Sequence, residues 1–258
     1  IIPEHVYGDG QDPKKHPQNS ENVVGSGPFK LVEFKSGEHI ILERFDDFFI
    51  DGRPYLDKMV LKIITDPATR TIGLENGEID FYAFENVATN IVRLKKNTNL
   101  NVTPKGYAAI GPIDWLAFNT KDGKTADVNV RRAIAYAIDR NFILKAIMLG
   151  VADEARTGIH PGSPYYEPNV ETYDLNIDKA NKILDDAGYA KGSDGMRFGL
   201  TVDFGWPGLR PNAEYTKAAL KKIGIDVTVR PSADFPTWAK TVSNHNFDLT
   251  WDTVFNWG

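Results

Sequence analysis

Cysteine is absent from the 258 residues, which removes disulfides, thiolate metal sites and cysteine nucleophiles together and leaves the redox compartment open. No run approaches the roughly 18 consecutive apolar residues that a membrane-spanning helix needs. The opening Ile1-Ile2-Pro3-Glu4-His5 also lacks the basic and apolar regions of an export signal. Charge of one sign is missing too: the net charge of -5 comes from interspersed acids and bases, so neither nucleic acid nor a membrane surface is indicated as a partner. The five histidines, at positions 5, 16, 39, 160 and 245, stand at no metal-ligand spacing. There is no G-x-G-x-x-G after a strand, no P-loop and no G-x-S-x-G elbow, so dinucleotide binding, phosphoryl transfer and serine hydrolysis lack support. Asp46-Asp47 and Asp185-Asp186 are adjacent carboxylates, but neighbours on a turn or an exposed helix face are solvated and acquire no raised pKa from proximity alone. No cofactor and no metal are expected, and no catalytic residue is assigned.

What is present is enough apolar sequence, 41% of the chain, to bury a sizeable core. Up to about Asn22 the sequence is rich in Pro, Asp, Gln, Lys and Asn without apolar periodicity and reads as a surface connection. Two β-prone runs between Gly25 and Phe45, separated by Lys35-Ser36-Gly37, predict a hairpin. A third strand is expected at about Lys58 to Ile64. A helix follows, opened by Asp66-Pro67 and closed by Asn76-Gly77, then a strand at Ile79 to Tyr82. Asn86 to Lys96 predicts a helix, and Ile113 to Asn119, apolar on both faces, an interior strand. From Asp127 to Leu149 apolar residues recur at three and four residue steps, the pattern of one long helix stopped by Gly150. After a Pro-rich stretch at 151–170, a helix from Asn176 or Asp178, a strand at 197–204, a helix at 212–223, a strand at 225–230, a helix at 234–243 and a strand at 247–253 alternate. This order predicts an α/β fold with parallel pairing.

The aromatic residues are unevenly placed. Trp238, Trp251 and Trp257, with Phe235 and Phe255, crowd the last 24 residues. Core packing accounts for such a cluster, and so does a ligand-stacking platform. If the 247–253 strand alternates, Trp251 falls on the same face as Phe247 and Leu249, a core position. Trp257 lies beyond the strand's carboxyl end, where open α/β sheets place their ligands.

A series of motifs in order gives the chain a family resemblance. Ile2-Pro3-Glu4-His5, Gly25-Ser26-Gly27-Pro28-Phe29-Lys30, "GEHIILERF", "GRPYLDKMVLKIITDPATR", "LENGEIDF", "LAFNT" (116–120), "VRRAIAYAIDR" (130–140), "DDAGY" and "LKKIGIDVTV" together span nearly the whole chain. In this the chain resembles the oligopeptide- and dipeptide-type, family 5 extracytoplasmic solute-binding proteins of ABC importers. The resemblance implies a periplasmic-binding-protein-like α/β fold, with two mixed-sheet units forming a ligand cleft. It also implies a binder rather than an enzyme, periplasmic or extracellular and membrane-associated, monomeric, handing its ligand to a membrane permease. Because members are longer at both ends, 1–24 is expected to connect, 25–157 to supply the middle of domain I, and 158–258 the first part of domain III. The export signal would then fall outside the segment.

By the same resemblance, ligand contacts fall at Phe235, Trp238 and the run from Trp251 through Asn256 to Trp257. Arg156 and His160 lie in the crossover at the expected junction and are either cleft residues or an exposed loop. Trp115 is either a cleft aromatic or core. Oligopeptide or dipeptide is the expected ligand. Peptide binders, however, commonly carry a basic residue shortly after the Phe-Asp pair, and here Phe247-Asp248 is followed by Trp251, so an oligosaccharide is the alternative. A hydrolase is the remaining one, with no motif to supply its nucleophile and base.

Overall fold

The computed structural model describes residues 3–19, 23–105 and 110–255. The chain divides into two compact units, Ile1–Tyr82 and Ala83–Gly258. The first is built on an antiparallel sheet in the order β1 (Phe29–Lys35), β2 (His39–Arg44), β3 (Lys58–Lys62). Its hairpin turns where expected: Gly37 takes φ 77°, a left-handed conformation open to glycine, and Glu38 N–H donates to Lys35 O at 3.0 Å. The helix α1 (Pro67–Glu75) starts on the Asp66 carboxylate, which accepts from Thr69 N–H at 2.7 Å. The strand expected at 79–82 does not form. Glu78 N–H and Ile79 N–H both turn back onto Gly73 O, at 2.8 and 3.2 Å, so the amides that would begin a ladder close the helix instead. Among its described residues the segment before β1 holds a helical turn, Glu4–Tyr7, and two short 3-10 turns, Pro13–Lys15 and Pro17–Asn19.

In the second unit α2 (Ala88–Leu94) precedes a four-stranded sheet. Its strands are β4 (Pro112–Phe118), β5 (Phe198–Phe204), β6 (Ile225–Pro231) and β7 (Leu249–Phe255), in the spatial order β4-β7-β5-β6. β5 runs parallel to β6 and β7, and β4 antiparallel to β7. One expectation is corrected here. Among the described residues β4 is an edge strand rather than an interior one, in keeping with Pro112 at its first position, where no N–H is needed. β4 pairs along its whole length with β7, Leu116 opposite Trp251, so strands from either side of residue 157 share this sheet.

The long helix expected over 127–149 is broken. α3 (Val128–Ala137) begins on the Asp127 cap as predicted, but Ile138 is extended at ψ 119°. Asp139 then caps a fresh start, accepting from Phe142 N–H at 3.0 Å, so that α4 (Arg140–Phe142) runs on as a π-helical turn Ile143–Ile147. The short Asp side chain competes with the helical backbone for its own amides, and Tyr215 Oη takes the Asp139 N–H at 2.8 Å. The apolar stripe survives the break: Val130, Ala133, Ile134, Ala137, Ile138 and Ile143 all enter one core with Leu200, Val202 and Leu249. α5 (Ile177–Asp186), α6 (Arg210–Lys221) and α7 (Phe235–Ser243) complete the unit. Alternation puts neighbouring residues of β7 on opposite faces. On one face the Trp251 indole N–H donates to Thr216 Oγ1 of α6 at 2.9 Å, and on the other Thr250 Oγ1 accepts from the Trp238 indole of α7 at 2.9 Å. β7 is therefore covered on both sides.

Candidate ligand-binding site

Parallel strands β5, β6 and β7 finish on the same side of the sheet, at Phe204, Pro231 and Phe255, and antiparallel β4 begins there at Pro112. The crevice outside such carboxyl ends is where open α/β sheets bind ligands, because the chain leaves the strands there in loops free to vary. Just past β5 comes Trp206, and just past β6 comes Phe235 at the start of α7, whose Asp234 cap accepts from Thr237 N–H at 2.8 Å. The two rings stack, centroids 4.7 Å apart and planes within 14°. Phe235 also leans on Trp238 at 5.3 Å. Trp238 in turn lies against Gly205, where an added Cβ would stand 3.2 Å from the indole. Glycine permits that approach. Phe235 is thus held between two tryptophans while keeping 43% of its surface exposed.

On the β4–β7 side the same end of the sheet is acidic. Asp114 accepts from Thr253 Oγ1–H at 2.6 Å, and Trp115, 43% exposed, stands opposite Asp252 and donates its indole hydrogen bond to that carboxylate. Desolvation holds the Asp114 carboxyl above the usual carboxylate range, although the residue keeps an exposed surface: protein crowds the carboxyl without closing over it. Asp252 is raised as well, first by burial and further by the charge of Asp114, against a backbone hydrogen bond from Thr253 that lowers it. A raised carboxyl binds its proton more tightly in the folded state. Its stabilising contribution is full below the unfolded value and is lost as pH rises through the folded one. Asp114→Asn, which keeps an acceptor for Thr253, is therefore expected to gain on the natural chain in melting temperature as pH rises from about 4 towards neutrality. A melting-temperature difference that stays constant over that range, followed by circular dichroism, would contradict the raised carboxyl.

The sequence-predicted residues separate in space. Phe235 and Trp238 come together with Trp206, whereas Trp251 faces α6 on the opposite side of the sheet. Trp238 and Trp251 are both 5% exposed with their indole N–H groups satisfied inside the protein, so both take the core alternative. Arg156 pairs with Glu154 at 3.7 Å, and His160 Nδ1 accepts from Gly162 N–H at 3.0 Å. Both sit in the irregular stretch between Val151 and Asn176. Asn256 and Trp257 lie outside the described residues. Trp206, Asp114 and Asp252 were not singled out from sequence. The signal for Trp206 was its place directly after a strand and before Pro207-Gly208.

A further element of this unit is an apolar, half-open pocket of about 150 Å³ whose walls come from the start of α2, the end of the π-helical turn, the turn at Pro207-Gly208 and Pro211 at the start of α6. Among the described residues no group of three or more His, Asp or Glu side chains is arranged to hold a metal ion. Among the same residues, no helix is long and apolar enough to cross a membrane.

Comparison with known proteins agrees with this fold. The oligopeptide-binding protein AppA of Bacillus subtilis is 31% identical over 98% of this chain and 47% of its own length. The structure of AppA from Bacillus subtilis in complex with a nonapeptide superposes with a TM-score of 0.84 at 28% identity, covering 98% of this chain and 52% of that one. The periplasmic binding protein DppA from Helicobacter pylori in complex with the peptide STSA gives 0.82 at 28% identity, over 94% of this chain and 45% of that one. The chain spans about half the length of these relatives. The family model for bacterial extracellular solute-binding proteins, family 5 Middle, matches residues 2–258, and the chain belongs to that family.

Proposed function

We propose that this chain is part of an extracytoplasmic solute-binding protein that captures short peptides for an ABC importer and passes them to its membrane permease without making or breaking a bond. The observation that carries the reading is the likeness to two solved structures that hold peptides, at TM-scores of 0.84 and 0.82 over 98% and 94% of this chain. The site supports it chemically. A rigid aromatic wall at Trp206 and Phe235 takes apolar side chains, and the Asp114–Asp252 end of the same sheet edge offers carboxylate oxygens to peptide N–H and amino groups. Trp115, on the acidic side, adds a second exposed ring to this end of the sheet. Nothing in this division of labour requires a nucleophile.

A thermal-shift series on the full-length protein, with di- to nonapeptides in one arm and oligosaccharides in the other, tests the reading. A ligand present at about 100 times its Kd stabilises by about 2.7 kcal/mol, so a peptide that binds raises the melting temperature, and above its Kd the shift grows with the logarithm of its concentration. Shifts confined to the sugar arm would overturn the peptide assignment in favour of the oligosaccharide one.

A further inference from the structure

We infer that Asp203 and Arg230 are positioning residues for ligand binding: their ion pair fixes the seat of α7 on the sheet and thereby the place of Phe235 in the aromatic wall. For its ligand the inference rests on the peptide reading; for its geometry it stands on the fold alone.

The pair is built across the strands. Asp203 of β5 stands beside Thr250 of β7 on one side and Arg230 of β6 on the other, so the three side chains form a polar row on one face of the sheet. That face is the one covered by α7, since the Trp238 indole donates to Thr250 Oγ1 at 2.9 Å. Asp203 is 1% exposed, and a carboxylate so buried needs a partner that meets its oxygens. Arg230 meets both: Nε donates to Oδ1 and Nη2 to Oδ2, each at 2.8 Å. A planar fork on two oxygens fixes the guanidinium in direction as well as in place, which a lysine ammonium does not do.

A third bond of Arg230 leaves the sheet. Nη2 also donates to Asn246 O at 2.6 Å, in the turn that closes α7. There His245 N–H donates to Val242 O and Asn246 N–H to Thr241 O, a helix stop whose left-handed residue is usually glycine. Here that residue is His245, at φ 57°, and the turn is held from outside. Asn119 Nδ2 donates to His245 O at 3.1 Å, and Arg230 takes the next carbonyl. α7 is thus attached through Arg230 past its carboxyl end, through Trp238 on Thr250 in its middle, and through Phe235 on Trp206 at its start. Its nine residues span about 13 Å, so a tilt about the Trp238 contact moves both ends together. Releasing the Arg230 bond therefore shifts Phe235, at the opposite end of the helix. Replacing such a pair by apolar residues of similar volume is often neutral for stability, which places its effect in the geometry of the wall rather than in the melting temperature.

The test uses the full-length protein and two variants. Arg230→Lys keeps a positive charge beside Asp203 but loses the fork and the reach to Asn246 O. The double variant Asp203→Leu with Arg230→Met removes the pair without stranding a buried charge, and carries the test if the first does not fold. Each is made in the natural and the Phe235→Ala backgrounds, and the Kd of the tripeptide Ala-Phe-Ala is measured by calorimetry. In the natural background each should weaken binding by about fivefold, an ordinary coupling between residues that share a partner. In the Phe235→Ala background neither should weaken it further. Without peptide, near-ultraviolet circular dichroism of both variants should lose the aromatic signal that Phe235→Ala loses. An unchanged Kd, or a loss by the same factor in both backgrounds, would overturn the positioning role. If the natural protein bound no peptide, the peptide reading would fall, and an unchanged near-ultraviolet spectrum would take the positioning role with it.

Discussion

Replacing Trp251 by alanine is expected to lower the unfolding free energy of the second unit by about 3–5 kcal/mol, the range for truncating a buried large aromatic. That is a large share of the 5–15 kcal/mol by which domains of this kind are stable. The size follows from where the ring lies. Trp251 is 5% exposed, stands opposite Leu116 across the β4–β7 ladder and beside Phe204 across the β5–β7 one. Its indole N–H reaches Thr216 Oγ1 at 2.9 Å. Removing it opens a cavity where three strands and α6 meet, at a point that the two sheet neighbours cannot both close by moving. Trp251→Phe separates the contributions. It retains most of the apolar bulk and loses the hydrogen bond, while Thr216 still donates to Asn212 O at 2.8 Å, so the cost should fall to about 1–2 kcal/mol. Urea unfolding followed by far-ultraviolet circular dichroism measures both. A loss below about 1 kcal/mol for the alanine variant would remove Trp251 from the core and return it to the candidate ligand contacts.

Local chemistry was readable in the sequence, and non-local pairing was not. Asp66, Asp127, Asn176 and Asp234 each begin a helix where their residue type predicts, because an N-cap needs only its own side chain and an amide two or three residues on. The Gly37 turn and the Gly224 stop are legible for the same reason, both taking φ 77°. Two of the three failures depended on partners far along the chain, and the third on the end of the preceding helix. The apolar run 113–119 looks the same whether it ends up inside a sheet or at its edge, and only the arrival of β7 on one side decides it. Residues 79–82 have the composition of a strand, but their first amides are captured by the end of the preceding helix. The break at Ile138-Asp139 was hidden because a helix-period stripe continues across it, while the deciding bond, from Asp139 N–H to Tyr215, spans 76 residues.

The site was legible in the same uneven way. The aromatics near the C-terminal end of the sequence were open to a core or a ligand-facing role, and the structure buries Trp238 and Trp251 while leaving Phe235 43% exposed. Strand alternation assigned Trp251 to a core face; it does not reveal that Thr250, on the opposite face, is capped by Trp238. Trp206 escaped notice because it stands alone in sequence, some thirty residues from Phe235, and becomes part of a pair only when parallel β5 and β6 bring their carboxyl ends together.

In the aromatic wall at the carboxyl edge of the sheet, Phe235 is more exposed than Trp206 or Trp238. In the full-length protein Phe235→Ala should weaken peptide binding by about tenfold, near the lower end of the roughly 1–3 kcal/mol that stacking on an aromatic side chain is worth where it has been measured on nucleic-acid bases. The effect on the ligand-free protein should be small. Phe235 keeps 43% of its surface in solvent and makes its ring contacts with Trp206 and Trp238 at the rim, so its removal opens no closed cavity. The direct measurement is calorimetric titration of one peptide into the natural protein and the Phe235→Ala variant, with urea unfolding of both in the absence of peptide. A tenfold rise in Kd with apo stability changed by less than about 1 kcal/mol is the predicted result. An unchanged Kd, or a loss of apo stability comparable to that of Trp251→Ala, would show that Phe235 is packing and that the ligand lies elsewhere.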